Sequence, residues 1–213
     1  MKCPICTSPT NTFVDNKLSV TCHACPECRY TFKSPKHHHD FSAQKARYDL
    51  HENDPDDPGY RAYFQRFLDY VLPRVPATEG RALDFGCGAS DLLASMLTEG
   101  GYTTDRYDPI YHPDSAYVSQ SYDLIVSTEV FEHLDDPLAT LRHLTERLTP
   151  TGYLALQTQF LPETREAFLS WYYRLDPTHI GFFTPRTFTV MSEIVGLRVM
   201  GEDGVNKVVM HKS

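Results

Sequence analysis

Glu129-Val130-Phe131-Glu132-His133 sets two carboxylates and an imidazole close together, a donor group that can hold a divalent cation or move a proton. Mixed oxygen and nitrogen donors suit Mg²⁺, Mn²⁺ or Zn²⁺ without selecting among them. The run before it, Tyr122-Asp123-Leu124-Ile125-Val126-Ser127-Thr128, reads as a buried strand. Glu129 therefore stands at a strand end, and Glu132 and His133 open the following turn. A later histidine, His179, lies beside Pro177 and Gly181, where it either joins this cluster or satisfies a loop carbonyl. Upstream, Ala82-Leu83-Asp84-Phe85 runs into Gly86-Cys87-Gly88. Glycines there allow a positive-φ turn and let a ligand approach bare backbone. With only two of them, the three-glycine dinucleotide fingerprint is missing. A carboxylate such as Asp84 in front of that turn suits a ligand bearing an ammonium or sulfonium group rather than a pyrophosphate.

A second chemistry sits at the start of the chain. Five of the six cysteines fall within the first 28 residues, as Cys3-Pro4-Ile5-Cys6 and Cys22-His23-Ala24-Cys25-Pro26-Glu27-Cys28. Paired CxxC knuckles at this separation read as a tetrahedral zinc site. Two registers fit, since both Cys22/Cys25 and Cys25/Cys28 have the spacing. Cys3, Cys6, Cys25 and Cys28 are preferred, because both knuckles then carry proline after the first cysteine and Arg29-Tyr30-Thr31-Phe32 supplies a return strand. Cys22 becomes a spare thiol. A full set of four thiolates leaves no open position, so the expected zinc is structural.

The elements that must position these groups follow from the pattern. Strand 82–85, the glycine turn and an apolar helix over 91–97 form the start of an open α/β sheet with a ligand crevice. Residues 102–108 read as a second strand ending in Asp108, about twenty residues after the glycines, where a ribose-binding carboxylate is expected. A turn at 150–152 leads into a strand to Gln157. Residues 59–72 place Tyr60, Tyr63, Phe64, Phe67, Leu68, Val71 and Leu72 on one helical face, a stripe read as core packing on the sheet. Residues 41–50 read as a helix and 53–59 as a turn-rich break. The stretch 162–181, rich in aromatics including Phe168, Trp171, Tyr172 and Tyr173, reads as a lid or acceptor wall, or as an added core layer. Thr184 and Pro185 open a helix to Val195, followed by an antiparallel strand pair over 197–200 and 205–210.

Taken together, Asp84-x-Gly86-x-Gly88, Asp108, the strand ending at Glu129 and the turn-strand at 150–157 resemble, in order and spacing, the class I S-adenosylmethionine (SAM)-dependent methyltransferases. The resemblance covers residues 80–211. It implies an α/β Rossmann-like sheet, mostly parallel with a C-terminal antiparallel strand pair. It also implies SAM as cofactor, with Asp84, Gly86, Cys87 and Gly88 at the methionine part, Asp108 at the ribose, and Ser127 and Thr128 along the pocket. The string 46–60 and Trp171-Tyr172-Tyr173-Arg174-Leu175-Asp176-Pro177-Thr178-His179 are similar to a bacterial subgroup that also carries a cysteine ribbon. In that string Tyr48 and His51 either close over the pocket or belong to a surface turn. The ExxEH string resembles those of ubiquinone-pathway O-methyltransferases and small-RNA terminal 2′-O-methyltransferases, in which glutamates and histidine bind a divalent metal. That resemblance implies Glu129, Glu132, His133 and His179 as metal ligands, with Glu132, His133 and His179 as catalytic candidates. Metal-free members carry similar strings whose acids only line the pocket, and His133 or His179 would then be the general base.

The chain of 213 residues divides on this reading into a ribbon at 1–35, a helical connector at 36–77 and a methyltransferase domain at 78–213. A net charge of −8 and a pI of about 5.6 remove the bulk basic footprint of a nucleic-acid binder. Lys33, Lys36, Lys45 and Arg47 could still form a local strip for an RNA end. A small-molecule acceptor is therefore expected, RNA is disfavoured, and O-methylation is slightly favoured. The alternative of another class is a SAM-binding protein that recruits a partner through the ribbon. The opening Met1-Lys2-Cys3 lacks an apolar leader and no apolar run is of bilayer length, so a soluble cytoplasmic protein without a membrane partner is expected. Oligomeric state is not legible.

Overall fold

The computed structural model describes residues 1–50 and 57–212, without the side chain of Phe41. His51 and residues 53–56 of the expected break lie outside the described residues.

The chain opens with three short antiparallel strands, β1 (Asn11–Asp15), β2 (Val20–Ala24) and β3 (Thr31–Lys33), tied at one end by the cysteine knuckles. Helix α1 (Phe41–Tyr48) follows, its N-terminus capped by Asp40, whose carboxylate accepts from the Ala43 amide at 2.9 Å. Helix α2 (Pro58–Val71) starts as its sequence directs, with Pro58 at the first turn and Asp57 as cap. Its Phe64, Phe67, Leu68 and Val71 are buried against the sheet.

The rest of the chain alternates strands and helices: β4 (Gly80–Phe85), α3 (Leu92–Glu99), β5 (Tyr102–Tyr107), β6 (Tyr122–Thr128), α4 (Pro137–Arg147), β7 (Leu148–Gln157), α5 (Arg165–Ser170), β8 (Gly181–Phe182), α6 (Pro185–Val195), β9 (Leu197–Glu202) and β10 (Lys207–Lys212). Six of these strands make one sheet in the order β5-β4-β6-β7-β10-β9. The pairs β4–β5, β4–β6 and β6–β7 are parallel, and β10 runs antiparallel to both neighbours. The chain moves outward from β4 to β5 and then crosses back to β6 on the other side of β4. The carboxyl ends of β4 and β6 thus flank the topological switch point, where open α/β sheets hold their ligands.

Alternation of side chains along the strands gives the sheet two packed faces. Ala82, Leu124 and Val126 face α2 and α3, whereas Leu83, Ile125 and Leu154 face α4, α6 and the cysteine ribbon. Helix α6 is bounded by a capping box between Thr184 and Thr187 and by Gly196 at φ 80°. Residues 150–152, read as a turn, belong to β7, which begins earlier and pairs irregularly with β6 between Tyr122 and Leu124.

The ribbon is not set apart from this body. Strand β8, from the stretch after β7, pairs antiparallel with β3 and becomes the fourth strand of the ribbon sheet. Cys3, Ile5, Tyr30 and Phe32 share one core with Phe131, Phe183 and Phe188. No helix among the described residues is long and apolar enough to cross a membrane.

Candidate active site

At the end of β4, Gly86 and Gly88 take positive φ of 78° and 64°. The turn is drawn against β5 by the Gly86 amide, which donates to the Tyr107 carbonyl at 2.7 Å. A Cβ on Gly86 would overlap the Val130 side chain, so this position needs glycine for space as well as for conformation. Asp108, just past β5, faces the same turn. Its Oδ2 accepts from the Gly88 amide at 3.1 Å, while its Oδ1 accepts from the amides of Ile110 and Tyr111.

Asp84 is 2% exposed, and burial pushes its carboxyl up to about 7, opposed by Arg106 and helped by Asp108. The sign of the consequence is fixed. Between about 4 and 7 the folded chain holds a proton that the unfolded chain has released, so stability falls as pH rises, by about 1.4 kcal/mol per unit. A ligand that brings positive charge to Asp84 offsets this loss. The thermal shift produced by S-adenosylhomocysteine (SAH), which carries an ammonium group, is therefore expected to grow from pH 5 to pH 8 in the wild type and to flatten in Asp84→Asn. A shift independent of pH in both proteins would detach Asp84 from the ligand.

The second cluster hangs from the end of β6. Glu129 has φ 54°, a left-handed backbone that a non-glycine residue holds at a cost of about 1–3 kcal/mol. Its two oxygens accept from Tyr63 of α2 at 3.0 Å and from Tyr173 at 2.8 Å. The Tyr173 hydroxyl also reaches Glu132 Oε1, and Gln157 donates to the Tyr63 hydroxyl. Burial, then the neighbouring Glu132, pushes the Glu129 carboxyl up to about 8, and burial raises Glu132 as well. Glu132 is fully buried, and its Oε2 has no hydrogen-bond partner.

Both histidines are oriented by main-chain carbonyls. His133 Nδ1 donates to the Thr178 carbonyl at 3.0 Å and His179 Nδ1 to the Tyr173 carbonyl at 2.7 Å. A carbonyl can only accept, so each ring carries its proton on Nδ1 and keeps an Nε2 lone pair. Their ring centroids lie 4.7 Å apart. Burial depresses both imidazoles, His179 to about 3, so both are neutral at physiological pH. One ligand atom from each of Glu132, His133 and His179 lies within 4.8 Å of the others. Glu129 stays outside that trio, held by its two tyrosines.

The connector covers this cluster. The ring of Tyr48 packs edge-on against His133, with centroids 5.2 Å apart. Arg47 forms a double hydrogen bond to Asp176 Oδ2 at 3.0 and 2.8 Å. On the other flank, the Tyr111 hydroxyl donates to Asp49 at 2.7 Å. The C-terminal end of α1 therefore bridges the loop after Asp108 and the loop carrying His179.

At the ribbon tip, Cys3 Sγ lies 3.5 Å from Cys28 Sγ and Cys6 Sγ lies 3.4 Å from Cys25 Sγ. All four sulfurs fall within 4.8 Å of one another. Cys22 is elsewhere, buried with Phe168, Tyr173 and Phe182, and burial pushes its thiol up to about 11.

Some residues take places their spacing did not announce. Tyr63, read as core stripe, turns its hydroxyl into the site, and Tyr173 joins the two glutamates. The aromatic stretch 162–181 is divided: Tyr173 and His179 touch the Glu129–His133 cluster, whereas Phe168 and Trp171 pack with Cys22 and Phe13 of the ribbon. Three of the four basic residues are engaged within the chain, and Lys36 is exposed. Lys33 is buried and donates to the Asp176 carbonyl, Lys45 pairs with Asp49, and Arg47 pairs with Asp176.

The profile of the methyltransferase-domain family matches residues 58–201. The ubiquinone biosynthesis O-methyltransferase of Vibrio vulnificus is 28% identical over 115 residues, 43% of this chain and 49% of that protein. That of Xanthomonas campestris pv. campestris is 31% identical over 114 residues, 43% of this chain and 48% of that protein. The chain spans about half the length of these curated relatives. Among solved structures, an O-methyltransferase family protein from Burkholderia thailandensis superposes with TM-score 0.55 at 14% identity, covering 80% of this chain and 63% of that one. CalO1, a methyltransferase of calicheamicin biosynthesis in its SAH-bound form, superposes with TM-score 0.53 at 16% identity, covering 80% and 61%. At such identities the likeness speaks for the fold alone.

Proposed function

From the premise that the chain belongs to the methyltransferase-domain family, as a class I SAM-dependent methyltransferase, we propose that it methylates a hydroxyl of a small-molecule acceptor, with a divalent cation held by Glu132, His133 and His179. The observation that carries this is the trio itself: one ligand atom from each residue lies within 4.8 Å of the others, Glu132 Oε1 lies 3.8 Å from His133 Nε2, and the Nδ1 proton of each ring is already donated to a carbonyl. Histidines whose other nitrogen is fixed in this way are what metal sites require. A bound cation would lower the pKa of an acceptor hydroxyl and hold it in place.

The chain's own residues do the rest. Asp84 and the 86–88 turn take the methionine part of SAM, with Cys87, Ser127 and Thr128 along the pocket, and Asp108 takes the ribose hydroxyls with the oxygen it now offers to the Gly88 amide. SAM carries its own leaving group, so the protein's task is to bring acceptor oxygen, methyl carbon and sulfur into line. Tyr63 and Tyr173 anchor Glu129 beside the trio, and Tyr48 roofs it, keeping water from the transferring methyl. At the ribbon tip, Cys3, Cys6, Cys25 and Cys28 hold a structural zinc, and Cys22 is the spare thiol. The relatives' names support oxygen as the acceptor atom, and the engagement of Lys33, Lys45 and Arg47 within the chain supports a small molecule over an RNA end.

The test is transfer of labelled methyl from SAM to a panel of hydroxyl, amine and thiol acceptors, with metal-stripped protein and after addition of Mn²⁺. O-methyl products that appear only with Mn²⁺ support the reading. Transfer to nitrogen alone, or rates that Mn²⁺ leaves unchanged, overturns it.

A further inference from the structure

The segment from Tyr173 to Phe182 is gripped from two sides. On the crevice side it supplies the Tyr173 hydroxyl to Glu129 and Glu132, the Tyr173 carbonyl to His179 and the Thr178 carbonyl to His133. The Ile180 amide adds a bond to the Glu132 carbonyl at 2.8 Å. On the ribbon side, Arg174 Nε lies 3.0 Å from Asp15 Oδ2, with both side chains only 2% exposed. Lys33 Nζ donates to the Asp176 carbonyl at 2.9 Å, and the Lys33 amide donates to the Ile180 carbonyl at 2.8 Å. Gly181 and Phe182 are the strand that completes the ribbon sheet, and a Cβ on Gly181 would overlap the Tyr30 hydroxyl.

The kind of contact matters as much as the place. Two charged side chains, Asp15 and Lys33, are buried inside the ribbon and spent on the loop that orients both histidines. A buried ion pair adds little stability over an apolar pair of the same size, because desolvation opposes the attraction. Adhesion alone would be served as well by more of the apolar packing already provided by Phe13, Phe168 and Phe182. What directed charges add is a fixed position. Among the described residues, the hydrogen bonds and ion pairs from the ribbon to the catalytic domain end on residues 174–187. The Asp84–Gly88 turn and Asp108 are held instead by Tyr107, Ile110 and Tyr111.

We infer that Asp15 and Lys33 of the ribbon are positioning residues for the acceptor half of the site: through Arg174 and Asp176 they set Tyr173, His133 and His179, and the SAM half does not depend on them. The ribbon is then part of the active-site frame rather than a tag attached to it. This rests on the assignment of Glu132, His133 and His179 to the acceptor side.

Lys33→Met and Asp15→Asn test it in the full-length protein. Methionine fills the lysine's channel beside Phe182 without its ammonium group, so this variant keeps the assay informative where Asp15→Asn, which strands Arg174, fails to fold. Three quantities are compared with wild type: SAH affinity by calorimetry, Mn²⁺ affinity by electron paramagnetic resonance, and the hydrogen-bonded ring protons of His133 and His179 by NMR. SAH affinity is expected to stay within about two-fold while Mn²⁺ binding weakens about ten-fold or more, as when outer partners of metal ligands are removed. The two ring-proton signals should broaden or vanish, and Lys33→Arg should restore them in part. Unchanged ring signals and Mn²⁺ affinity in Lys33→Met would overturn the inference. So would a loss of SAH affinity in the same proportion, which would make the ribbon a support of the whole fold. If wild-type protein binds no Mn²⁺, the metal reading fails by itself, and the ring signals still decide this one.

Discussion

Glu132→Gln is expected to reduce methyl transfer by about 100-fold or more while SAH affinity stays within about two-fold, as for loss of an interaction made only on the acceptor side. The side chain is fully buried, and its Oε2 has no hydrogen-bond partner. An unmatched buried acceptor costs about 1–3 kcal/mol, more when ionised. Folding alone gives no reason to keep a carboxylate there. Glutamine preserves the volume and can still accept from Tyr173, but it brings no negative charge to the two Nε2 lone pairs. The same substitution removes the burden of a buried acid, so the melting temperature of metal-free protein should hold or rise as activity collapses. That opposition separates a functional residue from a structural one. Three assays decide it: labelled-methyl transfer, calorimetry with SAH, and a thermal scan. Activity within about three-fold of wild type, or a melting temperature that falls with activity, would return Glu132 to a packing role.

What the sequence made legible was chemistry concentrated in neighbouring positions. Asp84-x-Gly86-x-Gly88 and Glu129-x-x-Glu132-His133 each sit at a strand end, and the sheet order needed to bring them together follows from the alternation of strands and helices. The cysteine knuckles were legible for the same reason. The rest depends on contacts between distant positions. Tyr63 lies 66 residues from Glu129 and occupies a helical face whose neighbours are core, so its period argued for burial and said nothing of its hydroxyl. Tyr173 was one aromatic among four in its stretch. Strand β8 is two residues long, below any periodic signal, yet it joins the ribbon to the catalytic body. Lys33 and Arg47 counted as free positive charge until the fold supplied Asp176. Helix α1 shows the same limit. Its residues could be assigned to a helix, but only the fold brings Tyr48 onto His133.

Loss of the metal from the cysteine cluster is expected to lower the melting temperature by about 10–20 °C, the shift that follows from about 5 kcal/mol in a chain of this size. The reasoning starts from what the ribbon lacks. Strands of three to five residues form marginal sheets at best. Four sulfurs within 4.8 Å of one another are a site for one tetrahedral ion. Structural zinc contributes about 10–16 kcal/mol in isolated finger peptides. The effect here should be smaller, because Tyr30, Phe32 and the Cys28 carbonyl are also held by the catalytic body, the last by the Thr187 hydroxyl at 2.9 Å. Titration with a mercurial while released zinc is read with a chromophoric chelator should give one ion per chain, and the stripped protein should show the lowered transition. Two variants fix the ligand set. Cys25→Ala should lose the ion, because its sulfur lies inside the cluster, whereas Cys22→Ala should keep it, because Cys22 is packed against Phe168, Tyr173 and Phe182. The reverse pattern would move the second knuckle to Cys22 and Cys25. No released zinc and an unmoved transition would leave the ribbon held without metal, by its shared core and the β3–β8 pairing. The Asp15 and Lys33 contacts would then be its main fixed points on the site.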